Sequence, residues 1–210
     1  VNCENCKTPI DGTATYKGMA LCSGCRAKFE LRHKYEVYLL KMADLLEERD
    51  YEGAIAVLDT AGVDLRPFET DTWLERTLLA DRAMVVENQG KLQEALELLN
   101  ARLALPFDEP SEQAESFLAA ALLLHQFDRV SEARVYMSAA IVCLQQAYPR
   151  AALRCVLGWL DTGDVEVFRG RHEFVVSAVR AYGLEPPLEL ANDTPGILDW
   201  VKRNNPLASA

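Results

Sequence analysis

Six cysteines punctuate the 210-residue chain, and the first four are spaced so that their sulfurs could converge. Cys3-Glu4-Asn5-Cys6 and Cys22-Ser23-Gly24-Cys25 are two CxxC pairs separated by fifteen residues. A CxxC sets two sulfurs on one tight turn, and two such turns brought together make the tetrahedral thiolate set that zinc takes. Cys3, Cys6, Cys22 and Cys25 are therefore expected to bind one zinc ion. Four thiolates fill the coordination sphere and leave no position for water or substrate, so the ion is expected to be structural. An iron centre would use the same four sulfurs, whereas a redox CxxC needs a βαβ setting that neither pair has. His33 falls two turns into the following helix, where a solvated position suits it. Cys143 and Cys155 stand alone in helical sequence and read as small core hydrophobes.

No other chemistry has a sequence signature. GxSxG, the Walker and Rossmann glycine loops, HExxH and the EF-hand loop are all absent from the sequence, and its three histidines lie far apart. The expectation is a protein that is not an enzyme. Formal net charge is −10 and unevenly placed. Residues 1–35 carry Lys7, Lys17, Arg26, Lys28, Arg32 and Lys34 against Glu4, Asp11 and Glu30, which leaves −13 for the rest. Four metal-bound thiolates would trim the basic end to roughly +1, well short of a strongly basic nucleic-acid footprint. No basic-then-apolar leader opens the sequence, and its longest apolar run, Phe117–Leu124, is too short to span a bilayer. A soluble cytoplasmic protein without a membrane partner is expected.

The cysteines need elements to position them. Thr13–Tyr16 and Met19–Leu21 flank Lys17-Gly18, which reads as a hairpin linking the two pairs, and the residues after Cys25 turn helical without a break. Apolar residues then recur at helical spacing between breaks at Asp50, Gly62–Pro67, Gly90, Pro106–Pro110, Pro149, Gly163 and Pro186-Pro187. About eight helices and a short ninth are expected. The ninth starts at the Asn192–Pro195 signal and carries an apolar stripe of Ile197, Leu198, Trp200 and Val201.

The four-cysteine segment resembles a treble-clef or LIM-like zinc module, in which the second knuckle opens a helix. Downstream, Tyr51–Ala54–Leu58, Leu92–Ala95–Leu99 and Val130–Ala133–Met137 repeat one pattern of apolar, small and apolar residues. Twelve residues before each small residue stand Met42, Ala83 and Ala121. These segments resemble degenerate tetratricopeptide repeats, with a fourth unit aligned on Gly158, Val167, Gly170 and Phe174. The fold class implied is mainly α, antiparallel helix-pair repeats forming a tetratricopeptide-like solenoid behind a small β-hairpin zinc module. Residues 1–30 would form the zinc module, 31–185 the repeats, and 186–210 a capping helix and tail.

In that family the first helices line a groove that binds extended or helical peptides. The matching positions include Glu36, Leu39, Met84, Glu87, Glu115, Leu122, His125 and Trp159, with Trp159 as the aromatic anchor. Apolar residues edged by acid would suit a basic amphipathic peptide or helix of a protein partner. The resemblance thus implies an interaction adaptor. The alternative is a zinc-finger nucleic-acid-binding or transcription-linked regulator using the basic residues near the cysteines, against which the acidic remainder would repel a polyanion.

Overall fold

At Lys17 and Gly18 the backbone takes φ values of 48° and 85°. Two successive left-handed residues give the hairpin turn whose twist matches its strands. In the computed structural model, which describes residues 2–10, 15–69, 71–145, 149–190 and 192–204, this turn joins β1 (Thr15–Tyr16) to β2 (Met19–Ala20). Thr15 pairs with Ala20 and Tyr16 with Met19, antiparallel. Thr13 and Ala14, also expected in the hairpin, lie outside the described residues.

Apart from an isolated antiparallel bridge between Asn2 and Pro9, everything else of regular structure among the described residues is helical. The chain falls into two compact units, residues 1–98 and 99–210. The first holds the hairpin, α1 (Ser23–Glu47), α2 (Tyr51–Leu65) and α3 (Trp73–Asn88). The unit division falls inside α4 (Leu92–Leu103), and the second unit continues with α5 (Pro110–Gln126), α6 (Val130–Leu144), α7 (Pro149–Leu160), α8 (His172–Arg180) and α9 (Thr194–Arg203). The boundary expected at residue 30 lies within α1, a single helix of 25 residues.

Local chemistry explains most helix ends. The Asp50 carboxylate accepts the Gly53 N–H at 2.9 Å, and that of Asp193 accepts the Gly196 N–H at 3.1 Å, so both cap a helix start. Pro110, Pro149 and Pro195 sit in first turns, where a missing N–H costs nothing. Gly62 departs from expectation, since α2 runs through it to Leu65 and stops at the 3-10 turn Arg66–Phe68, which contains Pro67. A Cβ at Gly62 would lie 3.2 Å from Leu78 Cδ1, so this glycine serves close approach of α2 and α3 instead of ending a helix. The fourth aligned unit differs too. Val167 lies in a 3-10 turn and Gly170 has φ of 72°, both ahead of α8, so Gly170 is a loop residue and not the small residue of a second helix.

In the first unit, Leu31, Tyr35, Met42, Ala54, Leu58, Leu74 and Val85 pack into one core. Tyr38 on α1 donates to Asp64 on α2 at 2.7 Å, Tyr35 donates to Asp81 on α3, and the Tyr35 and Trp73 rings meet edge to face. In the second unit, α5 and α6 form a hairpin in which Phe117 meets Tyr136, and α7 packs on both. Ile197, Leu198 and Val201 of α9 are buried where that helix meets α7 and α8, as its apolar stripe requires. The loop after α7 is pinned twice, since Asp164 accepts Arg134 through both oxygens (2.7 and 3.0 Å) and its carbonyl accepts the Trp159 indole N–H at 2.6 Å.

Ala54, Ala95 and Ala133 are each fully buried, as close helix approach demands. Ala133→Leu is expected to cost about 1–3 kcal/mol by overpacking, measured as a lower urea midpoint at unchanged m-value. The Arg134 guanidinium holds the Asp164 carboxyl below its ordinary range, so the pair adds stability above the unfolded carboxyl pKa near pH 4 and loses it as pH falls through the folded value. Asp164→Asn should therefore destabilise the protein at pH 7, with the deficit shrinking below about pH 4 in pH-dependent melts.

Candidate metal centre

Two knuckles present the cysteines. In the first, the Cys3 N–H donates to Thr8 O (2.8 Å) and the Lys7 N–H to Cys3 O (2.9 Å), closing a tight loop in which Lys7 takes φ of 62°. Glu4 fastens this loop to β2, since its N–H donates to Ala20 O and its carboxylate accepts the Ala20 N–H, both at 2.8 Å. The second knuckle is the start of α1. Cys22 is its N-cap, with Sγ accepting the Cys25 N–H at 3.4 Å. Ile10, Tyr16, Met19, Leu21 and Phe29 pack around Cys3 and Cys25 as a small core of their own.

All four sulfurs lie within 4.8 Å of one another, and no disulfide joins them. Cys6 and Cys22 Sγ are 3.6 Å apart. Four sulfurs tetrahedrally placed at a metal–sulfur distance of about 2.3 Å would be about 3.8 Å apart, so the cluster has the dimensions of a tetrathiolate metal site. The four cysteines could hold a metal ion as they stand. Cys3 and Cys25 are buried, Cys22 is half-buried and Cys6 is exposed.

Nearby donors prepare some sulfurs for ionisation more than others. Backbone N–H groups around Cys3, those of Cys22 and Cys6 foremost, bring its thiol down to about 6. The Thr8 hydroxyl, with the Thr8 N–H behind it, lowers Cys6. Cys25 moves the other way, to about 11. The Asn5 amide, 3.3 Å from its sulfur, is the largest single influence and lowers it, but burial and the neighbouring sulfurs together outweigh it. The sulfurs crowded around Cys25 oppose its ionisation, and a divalent cation would remove that cost. His33 stands apart from the cluster, exposed and paired with Glu36 at 2.7 Å.

The residues expected to line a peptide groove divide between the units. Glu36, Leu39, Met84 and Glu87 are exposed in the first unit, with Leu39 and Met84 each one turn beyond the Tyr35–Asp81 hydrogen bond on their helices. In the second unit the expectation fails at its anchor. Trp159 has no exposed surface, bonds to Asp164 and receives the His125 ring edge-on at 5.8 Å. Leu122 and His125 are half-buried, and Glu115 reaches Arg154 of α7 at 3.5 Å. Gly158 of α7 lets that helix close on Leu118, whose Cδ2 lies 3.4 Å from where a Cβ would sit. The α5 face assigned to ligand is thus the face on which α7 packs, and Trp159 is a core residue. Cys155 is buried and Cys143 half-buried, in keeping with their reading as packing residues.

No family model matches the chain, and no curated protein or solved structure matches it. No helix among the described residues is long and apolar enough to cross a membrane.

Cys22 has two separable duties, metal ligand and helix cap. Cys22→Ser should lose metal affinity while keeping the cap, since a serine oxygen accepts the same N–H. Cys22→Ala should lose both and destabilise α1 by about a further 1 kcal/mol, seen as faster amide exchange over residues 23–30 in Cys22→Ala than in Cys22→Ser.

Proposed function

We propose that Cys3, Cys6, Cys22 and Cys25 hold one zinc ion in a structural role, and that the helical remainder is a non-enzymatic, cytoplasmic interaction adaptor of tetratricopeptide-like helix pairs. The metal assignment is supported by the four-sulfur geometry, which leaves no open position for chemistry. The repeat assignment is supported by the burial of Ala54, Ala95 and Ala133 at equivalent helix positions and by the α1–α2 and α5–α6 hairpins.

One observation carries the adaptor reading. In the first unit, α1 exposes Val37, Leu39 and Leu40 and α3 exposes Met84, large apolar residues that share their helices with exposed Glu36, Glu47 and Glu87. A basic amphipathic helix or peptide would gain apolar burial and charge complementarity there. With Trp159 in the core, Leu39, Leu40 and Met84 take over the role of anchor.

The nucleic-acid alternative rests on six basic residues that all have intramolecular engagements. Arg26 pairs with Glu30 and Lys28 with Asp71, at 2.7 and 2.6 Å. Lys7 donates to Glu4 O. Arg32, Lys34 and Lys17 lie over the rings of Trp73, Phe68 and Tyr16. Phosphate contacts would have to displace these partners, which favours the adaptor.

Freshly purified, never-chelated protein should contain about one zinc per chain by metal analysis. No metal would refute the assignment, and iron would change its identity. A lysine–leucine amphipathic helical peptide should bind with an affinity that Leu39→Ser with Met84→Ser reduces at least about tenfold, as loss of apolar anchors does. Glu87→Lys should weaken it chiefly at low salt. Equal binding by all variants, or tighter binding of short duplex DNA than of the peptide, would remove the adaptor reading.

A further inference from the structure

The four clustered cysteines are alike as metal ligands but not in their access to solvent. Cys3 and Cys25 are 0% and 7% exposed, enclosed with Leu21 in the small hairpin core. Cys6 is exposed and Cys22 half-buried, and their sulfurs stand 3.6 Å apart, in van der Waals contact. The two accessible sulfurs are thus neighbours across the knuckles, one on the loop closed by the Cys3–Thr8 bond and the other at the start of α1. A purely structural site is served equally well by four buried sulfurs. Oxidation of cysteine follows exposure, and a singly oxidised sulfur with a second one beside it goes on to a disulfide.

We propose that the zinc centre is an oxidant-sensitive switch, in which a hydroperoxide joins Cys6 to Cys22 as a disulfide and the ion is released. The inference rests on the zinc reading of the site and adds its regulation. The Cys6 thiolate attacks the hydroxyl-bearing oxygen of the peroxide, so that an S–O bond forms as the O–O bond breaks, and the departing oxyanion takes a proton from water. The Cys22 thiolate then attacks the Cys6 sulfur, forming the S–S bond and expelling hydroxide, which is also protonated by solvent. Two thiolates lose two electrons, and the peroxide gains them. Only Cys3 and Cys25 remain as ligands, half of the set that zinc requires, and the ion leaves.

The cross-knuckle bond is the one that the packing favours. It leaves Cys3 and Cys25 in the hairpin core, whereas a disulfide within either CxxC turn would draw a core sulfur toward the surface. Cys22 also carries the change into the fold, because the sulfur that joins the disulfide is the one that caps α1 by accepting the Cys25 N–H at 3.4 Å. With the ion gone and that acceptor weakened, the knuckles, β1, β2 and the first turn of α1 loosen. The core of α1, α2 and α3 from Leu31 onward uses none of these contacts and keeps its packing.

Full-length protein, its zinc content measured first, is treated with hydrogen peroxide while a chromogenic chelator records free zinc, and samples quenched in acid are alkylated and mapped by mass spectrometry. Zinc release and a Cys6–Cys22 disulfide should appear at the same rate, with Cys143 and Cys155 still reduced, and dithiothreitol with added zinc should restore the starting protein. Amide exchange should quicken over residues 2–10 and 15–25 and stay unchanged in the α1–α3 core. Cys6→His keeps a fourth zinc ligand while removing the accessible sulfur, and it should slow zinc release by at least about tenfold. If that variant binds no zinc, the disulfide map of the parent decides. Protein purified without zinc would refute the metal reading itself. Zinc-bearing protein that keeps its ion under peroxide, whose first disulfide joins Cys3 to Cys6 or Cys22 to Cys25, or whose Cys6 passes to sulfinic acid with no disulfide would overturn the switch alone, as would a zinc-bearing Cys6→His protein that releases its ion as fast as the parent.

Discussion

The first unit depends on one covalent continuity, the uninterrupted run of α1 from Cys22 to Glu47. Its N-cap and first turn are the second knuckle of the cysteine cluster, and its next turns are the wall of the helical core. Lys28 meets Asp71, Arg32 lies over Trp73, and Tyr35 reaches both Trp73 and Asp81. A helix interior has no hinge unless a proline, a glycine pair or a bulge supplies one, and α1 has none after Gly24. The cysteine cluster and the α1–α3 core are consequently parts of one rigid element, and a domain boundary at residue 30 has no physical seam to follow.

Two small cores therefore lie along one helix. Cys25 and Phe29 face the hairpin, while Leu31, Tyr35 and Met42 face α2 and α3. The hairpin core contains few apolar side chains, too few by the usual scaling to hold a module of that size by burial alone. Coordination would supply what burial lacks. The helical core has no such need, since small residues at Ala54 and Gly62 bring its helices close enough for Leu58 and Leu78 to fill the space between.

What the sequence makes legible is whatever is settled within a few residues. The cysteine spacing, the Lys17-Gly18 turn, the breaks at Asp50, Pro110 and Pro149 and the helix start at Asn192–Pro195 each act locally, and each appears where it is expected. Gly62 misleads because glycine has two uses, ending a helix and admitting a neighbour, and the choice depends on Leu78 sixteen residues away. Trp159 misleads for a related reason. Spacing fixes which residues share a helix face, but which face meets solvent depends on the next helix, and α7 turns that face toward α5.

The continuity of α1 also bears on the order in which the chain acquires structure. Starting a helix is the expensive step, since the first turn fixes about six dihedrals for a single hydrogen bond, whereas each later residue adds a bond as it is fixed. In α1 that first turn, Cys22 to Arg26, is held by the Cys22 sulfur cap and by the Arg26 N–H bond to Cys22 O, before any contact with α2 or α3 is required. The cluster that would clamp it spans little more than twenty residues, a short loop to close, and precedes the rest of the described chain in order of synthesis. Metal capture would thus seed the longest helix from its N-terminal end, and α2 and α3 would condense onto a template already grown instead of having to create one.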